Sequence, residues 1–198
     1  MPKTRRLSED MDQRLARIIR SSPTLMQVLS IARTLDLPQW RLVSGAIYQT
    51  VWNALTNRPA DYGVKDYDLL YFEGADLSYA AEDAVIKRAA ALFPGALSQK
   101  VEVRNQSRVH LWFEDHFGEP YRPLSSTDEA IGRFVSPAFA VGVRLEQNDR
   151  LSICAPFGLD DLFAMRLRPN PTRPLAAGWQ KATASAKARW PEVVIVGP

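Results

Sequence analysis

The chain has almost no cysteine: Cys154 stands alone in 198 residues. That excludes an internal disulfide framework and any cysteine-rich zinc site, and it suits a reducing compartment. The setting Leu151-Ser152-Ile153-Cys154-Ala155 reads as a buried strand, so the thiol is expected to be an inert core group. Long apolar runs are lacking as well. No stretch approaches the ~20 residues that span a bilayer, and Met1-Pro2-Lys3-Thr4-Arg5-Arg6 is followed by an amphipathic polar pattern rather than a secretory apolar core. A soluble cytoplasmic protein with no membrane partner is expected. Charge excess of one sign is small, 25 Lys and Arg against 22 Asp and Glu for a net +3. The basic residues form no dense block, which disfavours a dedicated nucleic-acid binder and leaves an anionic small molecule compatible. Internal repeats, low-complexity tracts and linkers are absent. One domain is therefore expected over 1–198, with N-terminal helices over 1–38, a core over 39–170 and a C-terminal helix and tail over 171–198.

What is present begins with two helical patterns. From Ser8, a candidate N-cap followed by Glu9 and Asp10, the apolar residues Met11, Leu15, Ile18 and Ile19 recur at helical spacing. Pro23 punctuates, and Leu25, Val28, Leu29, Ala32 and Leu35 form a second stripe that Leu37-Pro38 closes. These helices are expected to form a layer packed on the remainder of the chain. Arg14, Arg17 and Arg20 read as the solvated face of the first.

Beyond Trp40 the elements interleave. A small-residue turn, Ser44-Gly45-Ala46, opens a helix carrying Ile47, Val51, Ala54 and Leu55; a loop over 56–64 then delivers the chain to a strand over 66–72. A helix over 78–93 is expected to turn Ala81, Val85, Ala89 and Leu92 inward, and a short strand over 99–105 alternates Val101 and Val103 with Glu102 and Arg104. Ser126 with Glu129 reads as a capping box. Residues 139–145 and 151–155 read as a hairpin across Gln147-Asn148-Asp149. Another helix comes after Pro156-Phe157-Gly158, with Asp160 as its cap, Asp161 as favourable first-turn charge, and Leu162, Phe163 and Leu167 inward. A basic helix over 175–189 ends the pattern. The order implies an α+β or mixed α/β fold. The five tryptophans are spread out, and core packing is the default for most of them.

The chemistry sits on one strand. Alternate side chains share a face, so Asp66 and Asp68 point one way and Tyr67 the other. Glu102 is a third acid that sheet register brings to the same place. Three hard oxygen ligands favour Mg²⁺ or Mn²⁺ over zinc. Asn105, Gln106, Arg108 and His110 come after Glu102 as a polar cluster; a helical turn there puts Gln106 and His110 on one face, either to recognise a base or acceptor or to form a structural corner.

The ordered set Val43-Ser44-Gly45-Ala46-Ile47, Lys65-Asp66-Tyr67-Asp68, the segment from Val101 to His110, and Pro156-Phe157-Gly158-Leu159-Asp160-Asp161-Leu162-Phe163 resembles the nucleotidyltransferase superfamily with the DNA-polymerase-beta-like fold. More narrowly, it resembles a bacterial family of small nucleotidyltransferase-like proteins. The resemblance implies a mixed β-sheet flanked by helices, with the N-terminal helical layer against it. It also implies transfer of a nucleoside monophosphate from an NTP to an acceptor with release of pyrophosphate. Asp66, Asp68 and Glu102 would be the catalytic and metal-binding acids. Ser44, Gly45, Ala46 and Lys65 would meet the triphosphate, the turn through backbone N–H groups at a helix N-terminus. The superfamily has Gly-Gly or Gly-Ser at this turn; Gly45-Ala46 departs from it by lacking the hydroxyl at the second position.

That departure motivates an alternative, a nucleotide- or partner-binding regulatory module that keeps the fold without transfer. A nucleic-acid contact through Arg14, Arg17 and Arg20 with Lys181, Lys187 and Arg189 is the less favoured third reading. The acceptor is not legible in the sequence.

Overall fold

The structure is a computed structural model that describes residues 10–176 and 178–197. Helix α1 (Met11–Arg20) buries Leu15, Ile18 and Ile19 along one stripe and is preceded by Asp10. The cap expected at Ser8, with Glu9, lies outside the described residues. Helix α2 (Pro23–Thr34) begins at the proline rather than being broken by it: Pro23 is the first helical residue, where its missing N–H is harmless, and the Ser22 side chain accepts from the Leu25 N–H at 3.4 Å.

Five strands form a mixed sheet in the order β3-β2-β1-β4-β5. They are β1 (Arg41–Val43), β2 (Tyr67–Tyr71), β3 (Val101–Asn105), β4 (Gly142–Leu145) and β5 (Leu151–Cys154). Strands β2 and β3 run parallel, joined by helix α4 (Tyr79–Leu92); the pairings β1–β2, β1–β4 and β4–β5 are antiparallel, the last being the expected hairpin. The fold is α+β.

Alternation sorts the two sheet faces. Leu42, Leu69, Val103 and Val143 point into a core that runs from Leu15 to Val193 and takes in the stripes of α1 and α2. Val43 and Leu70 point the other way, into a smaller cluster with Ala130 and Ile131 of helix α6 (Thr127–Ile131). Helix α3 (Gly45–Leu55) is buried continuously from Gly45 to Asn53, as its apolar character on all sides requires. Gln49 Oε1 is buried without a hydrogen-bond partner among the described residues, whereas the polar groups of Trp52 and Asn53 are matched. Trp52 Nε1 donates to the Leu162 carbonyl at 3.0 Å, and Asn53 Nδ2 donates to the carbonyls of Ala60 and Tyr62 at 3.2 and 2.9 Å. Asn53 Oδ1 accepts from Trp190 Nε1 at 2.9 Å, which ties the 56–64 loop and the C-terminal segment to one buried amide.

Several sequence expectations are corrected. In α4 the inward residues include Glu82 and Ala89, followed by Phe93, which is buried in the core, whereas Leu92 is exposed. Helix α7 (Asp160–Phe163) is a single turn starting after Leu159, so Asp160 is its first residue and not its cap. It ends where Met165 adopts a positive φ of 49°, which frees β6 (Arg166–Leu167) to pair with β7 (Val194–Ile195). Asp161 is far more than first-turn charge: it is buried and accepts from Arg166 Nε at 2.5 Å and Arg168 Nε at 2.7 Å. The basic C-terminal helix is α8 (Trp179–Arg189). Lys187 there donates to the carbonyls of Pro191 and Val193, and Arg189 to that of Gly63, so these cations clasp their own chain.

Candidate active site

The turn between β1 and α3 adjoins the acids. Ser44 takes φ 51° and ψ −115°, a left-handed conformation disfavoured for a residue with a side chain, and its N–H donates to the Val141 carbonyl at 3.2 Å. Its own carbonyl accepts from Ile47 and Tyr48, starting the helix. The first N–H groups of α3 therefore point out of the helix end, beside the acids. A Cβ on Gly45 would stand 3.2 Å from Gln49 Nε2 and 3.7 Å from Asp66 Oδ1, so Asp66 lies directly against the turn.

Asp66 immediately precedes β2, whose first residue, Tyr67, turns into the core and donates its N–H to the Lys100 carbonyl at 2.8 Å. Asp68 pairs with Val43 on one side and with Glu102 on the other, in register. Cross-strand partners project to the same face, so Asp68 and Glu102 stand side by side. Burial, then the charges of Asp66 and Glu102, push the Asp68 carboxyl up to about 7, against a smaller opposing effect from Arg104. The site concentrates negative charge in a poorly hydrated place with one weakly placed cation to offset it. Glu102 is half-exposed, and its Oε2 lies 3.8 Å from Arg104 Nη2, a loose surface pairing worth little on its own. Lys65 is exposed just ahead of the acids.

The donor chemistry suits a hard divalent cation: carboxylate oxygens on a shared face, one of them strongly disfavoured as a bare anion. Among the described residues no group of three or more His, Cys, Asp or Glu is drawn together at metal-holding distances. Glu102 is in register beside Asp68 and only loosely paired with Arg104.

The polar cluster after Glu102 divides. Asn105 Oδ1 accepts from the N–H groups of Glu73 and Ser107 at 3.0 and 3.2 Å, and its Nδ2 donates to the Glu73 carbonyl at 2.9 Å. Arg108 is buried, donates from Nε to the Leu77 carbonyl at 2.9 Å, and forms a buried ion pair with Glu82. These two residues build a corner that holds the 73–77 loop and α4. The turn over 106–111 is a 3-10 helix, in which residues three apart eclipse one another. Gln106 therefore shares its face with Val109, both facing the acid side, and His110 is set off from it.

On that side a cavity of about 560 Å³ opens. Its lining brings Ser44, Asp68, Arg104 and Gln106 together with the aromatic side chains of Tyr48, Trp112, Phe113, Phe117, Tyr121 and Phe139. Sequence pattern alone does not anticipate most of this wall. The available signal is the run Trp112, Phe113, His116 and Phe117, which puts aromatic rings on one side of the short helix α5 (Phe113–Phe117). Trp40, Trp52, Trp179 and Trp190 are fully buried, whereas Trp112 keeps 38% of its surface exposed.

Comparison with known proteins agrees with this fold. A family model described as nucleotidyltransferase matches residues 30–195. No curated protein sequence matches significantly. A structure solved by NMR and described as revealing a CCA-adding enzyme head domain superposes with a TM-score of 0.74, at 23% identity over 94% of this chain and 96% of that one. At that identity the likeness is one of fold.

Proposed function

The chain belongs to the nucleotidyltransferase family, and from that premise we propose that it moves a nucleoside monophosphate from an NTP to an acceptor, with Mg²⁺ or Mn²⁺ held by Asp66, Asp68 and Glu102. The observation that carries this reading is the register of β2 and β3, which sets Asp68 beside Glu102 with Asp66 against the Gly45 turn. A divalent ion bound there would neutralise phosphate charge and acidify the acceptor hydroxyl.

The chain's own groups do the rest. The N–H groups at the start of α3 meet the triphosphate, where the helix dipole favours an anion. Lys65 pairs with a phosphate oxygen. The acceptor oxygen forms a bond to the α-phosphorus as the bond to the bridging oxygen breaks, and pyrophosphate leaves with that electron pair. Glu102, the most exposed of the three acids, or a water it holds, takes the acceptor's proton. Catalysis of this kind is mainly positioning and charge stabilisation, so the rigid sheet is a suitable platform.

Pyrophosphate release from an NTP in the presence of Mg²⁺ tests the reading. Release abolished by Asp68→Asn supports it. Release that persists in Asp68→Asn contradicts the assignment of the acids. Metal–nucleotide binding without release across varied acceptors favours the non-transferring module instead, the reading that the Gly45-Ala46 turn motivates.

A further inference from the structure

The cavity is lined by aromatic side chains as well as by the acid site, and these have a distinct chemistry. Phe113 packs on Phe117 and Tyr121 with ring centroids 4.6 and 4.3 Å apart, and Trp112 lies 6.3 Å from Phe117. Phe117 and Trp112 keep 50% and 38% of their surface exposed. Large aromatic faces left open toward a cavity are a binding feature more than a packing one. The arginines that line the cavity with these rings are already engaged: Arg133 lies over Tyr121 and 3.6 Å from Glu129, and Arg173 pairs with Glu119 and donates to the Arg133 carbonyl at 2.9 Å. The space therefore offers π faces and hydrocarbon beside ion-paired arginines, while Ser44, Asp68 and Arg104 line the same cavity. An occupant that meets both groups of side chains has a charged part and a planar, apolar-faced part. The volume, about 560 Å³, is ample for it.

We propose that Trp112, Phe117 and their neighbours form the nucleobase subsite, an assignment that rests on the nucleotidyl-transfer reading of the acids. The wall holds the base by stacking and chooses weakly among bases. Stacking is tolerant because every base has a π face, and reading an edge needs directed donors and acceptors. Gln106 lines the same cavity, and its amide already donates to the Arg104 carbonyl at 3.3 Å.

The test compares three probes on the whole chain: adenosine alone, a non-hydrolysable ATP analogue with Mn²⁺, and inorganic tripolyphosphate with Mn²⁺. Trp112→Ala and Phe117→Ala remove half-exposed rings, and thermal unfolding checks that each variant remains folded. Each is expected to weaken the analogue roughly ten- to a hundredfold and to leave tripolyphosphate unchanged, with Trp112→Phe recovering most of the loss. The four common NTPs are expected to compete within about tenfold of one another, the modest preference that stacking alone provides. Folded variants that bind the analogue as the parent does overturn the subsite, as does an equal loss of tripolyphosphate. Adenosine needs neither metal nor phosphate, so it separates this proposal from the transfer reading. If the parent fails to bind tripolyphosphate, the acids are misassigned, and adenosine-induced NMR shifts lost in Trp112→Ala still support the wall. Adenosine shifts that are absent, or unchanged by the substitution, overturn it.

Discussion

Asp68 on β2 and Glu102 on β3 are in-register neighbours of a parallel strand pair, so two carboxylates rise from one sheet face on strands ~4.8 Å apart. The relationship is unfavourable unless something positive shares the site. It shows in the Asp68 carboxyl, which burial, Asp66 and Glu102 push up to about 7.

The metal-free protein should have a pH-dependent stability. The Asp68 carboxyl ordinarily titrates near 3.8 and is raised to about 7 in the fold. Between those values the folded chain keeps a proton that the unfolded chain has lost. The resulting stabilisation is fully present below about 3.8, declines as pH rises, and is gone above about 7. Urea unfolding should therefore show lower stability at pH 8 than at pH 5, by up to a few kcal/mol (about 1.4 kcal/mol per pKa unit). Asp68→Asn should flatten this component, and saturating Mg²⁺ should reduce it. A wild-type profile matching that of Asp68→Asn would show that the carboxyl is not desolvated.

Ser44 carries positive-φ backbone in front of α3, and its side chain makes no capping hydrogen bond to that helix. Ser44→Gly should relieve about 1 kcal/mol of strain and raise the unfolding midpoint. If the hydroxyl stands in for the one missing from Gly45-Ala46, the same substitution should weaken Mn²⁺–nucleotide binding. Thermal unfolding and a binding titration on one variant read the two effects separately.

Arg108 and Glu82 form an ion pair with little solvent access to either side chain, and Glu82 Oε1 also accepts from the Asn105 N–H at 2.8 Å. Glu82→Ala strands a buried guanidinium and should destabilise the fold by about 3–5 kcal/mol. Arg108→Ala should be comparably damaging. Nucleotide affinity measured on the folded fraction should stay near the parent value in both, because this corner holds the loop and α4 rather than lining the cavity. A large selective loss of affinity with normal stability would return Arg108 to a recognition role.

Cys154 sits beside Asp128, and burial followed by that carboxylate pushes its thiol up to about 12. Thiolate is then scarce at pH 8, and thiol-specific alkylation followed by mass spectrometry should find native protein largely unmodified and denatured protein fully labelled.

Local pattern made much of the architecture legible. Asp66 and Asp68 share a strand face by period two, Glu102 and Arg104 obey the same rule on β3, and Ser126 caps α6 by accepting from the Glu129 N–H at 3.0 Å. The reciprocal half of that motif is displaced by one residue, since Glu129 accepts from the Ser125 N–H at 2.8 Å. What departs from regular periodicity was not legible. Asp161 looks like ordinary first-turn charge until Arg166 and Arg168 turn back onto it past the Met165 kink. Gln106 and His110 look like one face until the turn tightens to 3-10 geometry. The aromatic wall is assembled from α5, Tyr121 and α3, segments that no periodicity links.

Calorimetric titration with Mn²⁺ and a non-hydrolysable NTP tests the central claim, that Asp66, Asp68 and Glu102 together hold metal and nucleotide. Binding by the wild type that is lost in Asp66→Ala and in Asp68→Ala, and weakened in Glu102→Gln, is the predicted result. Variants of Asp66 and Asp68 that bind the metal–nucleotide complex as tightly as the wild type would contradict it.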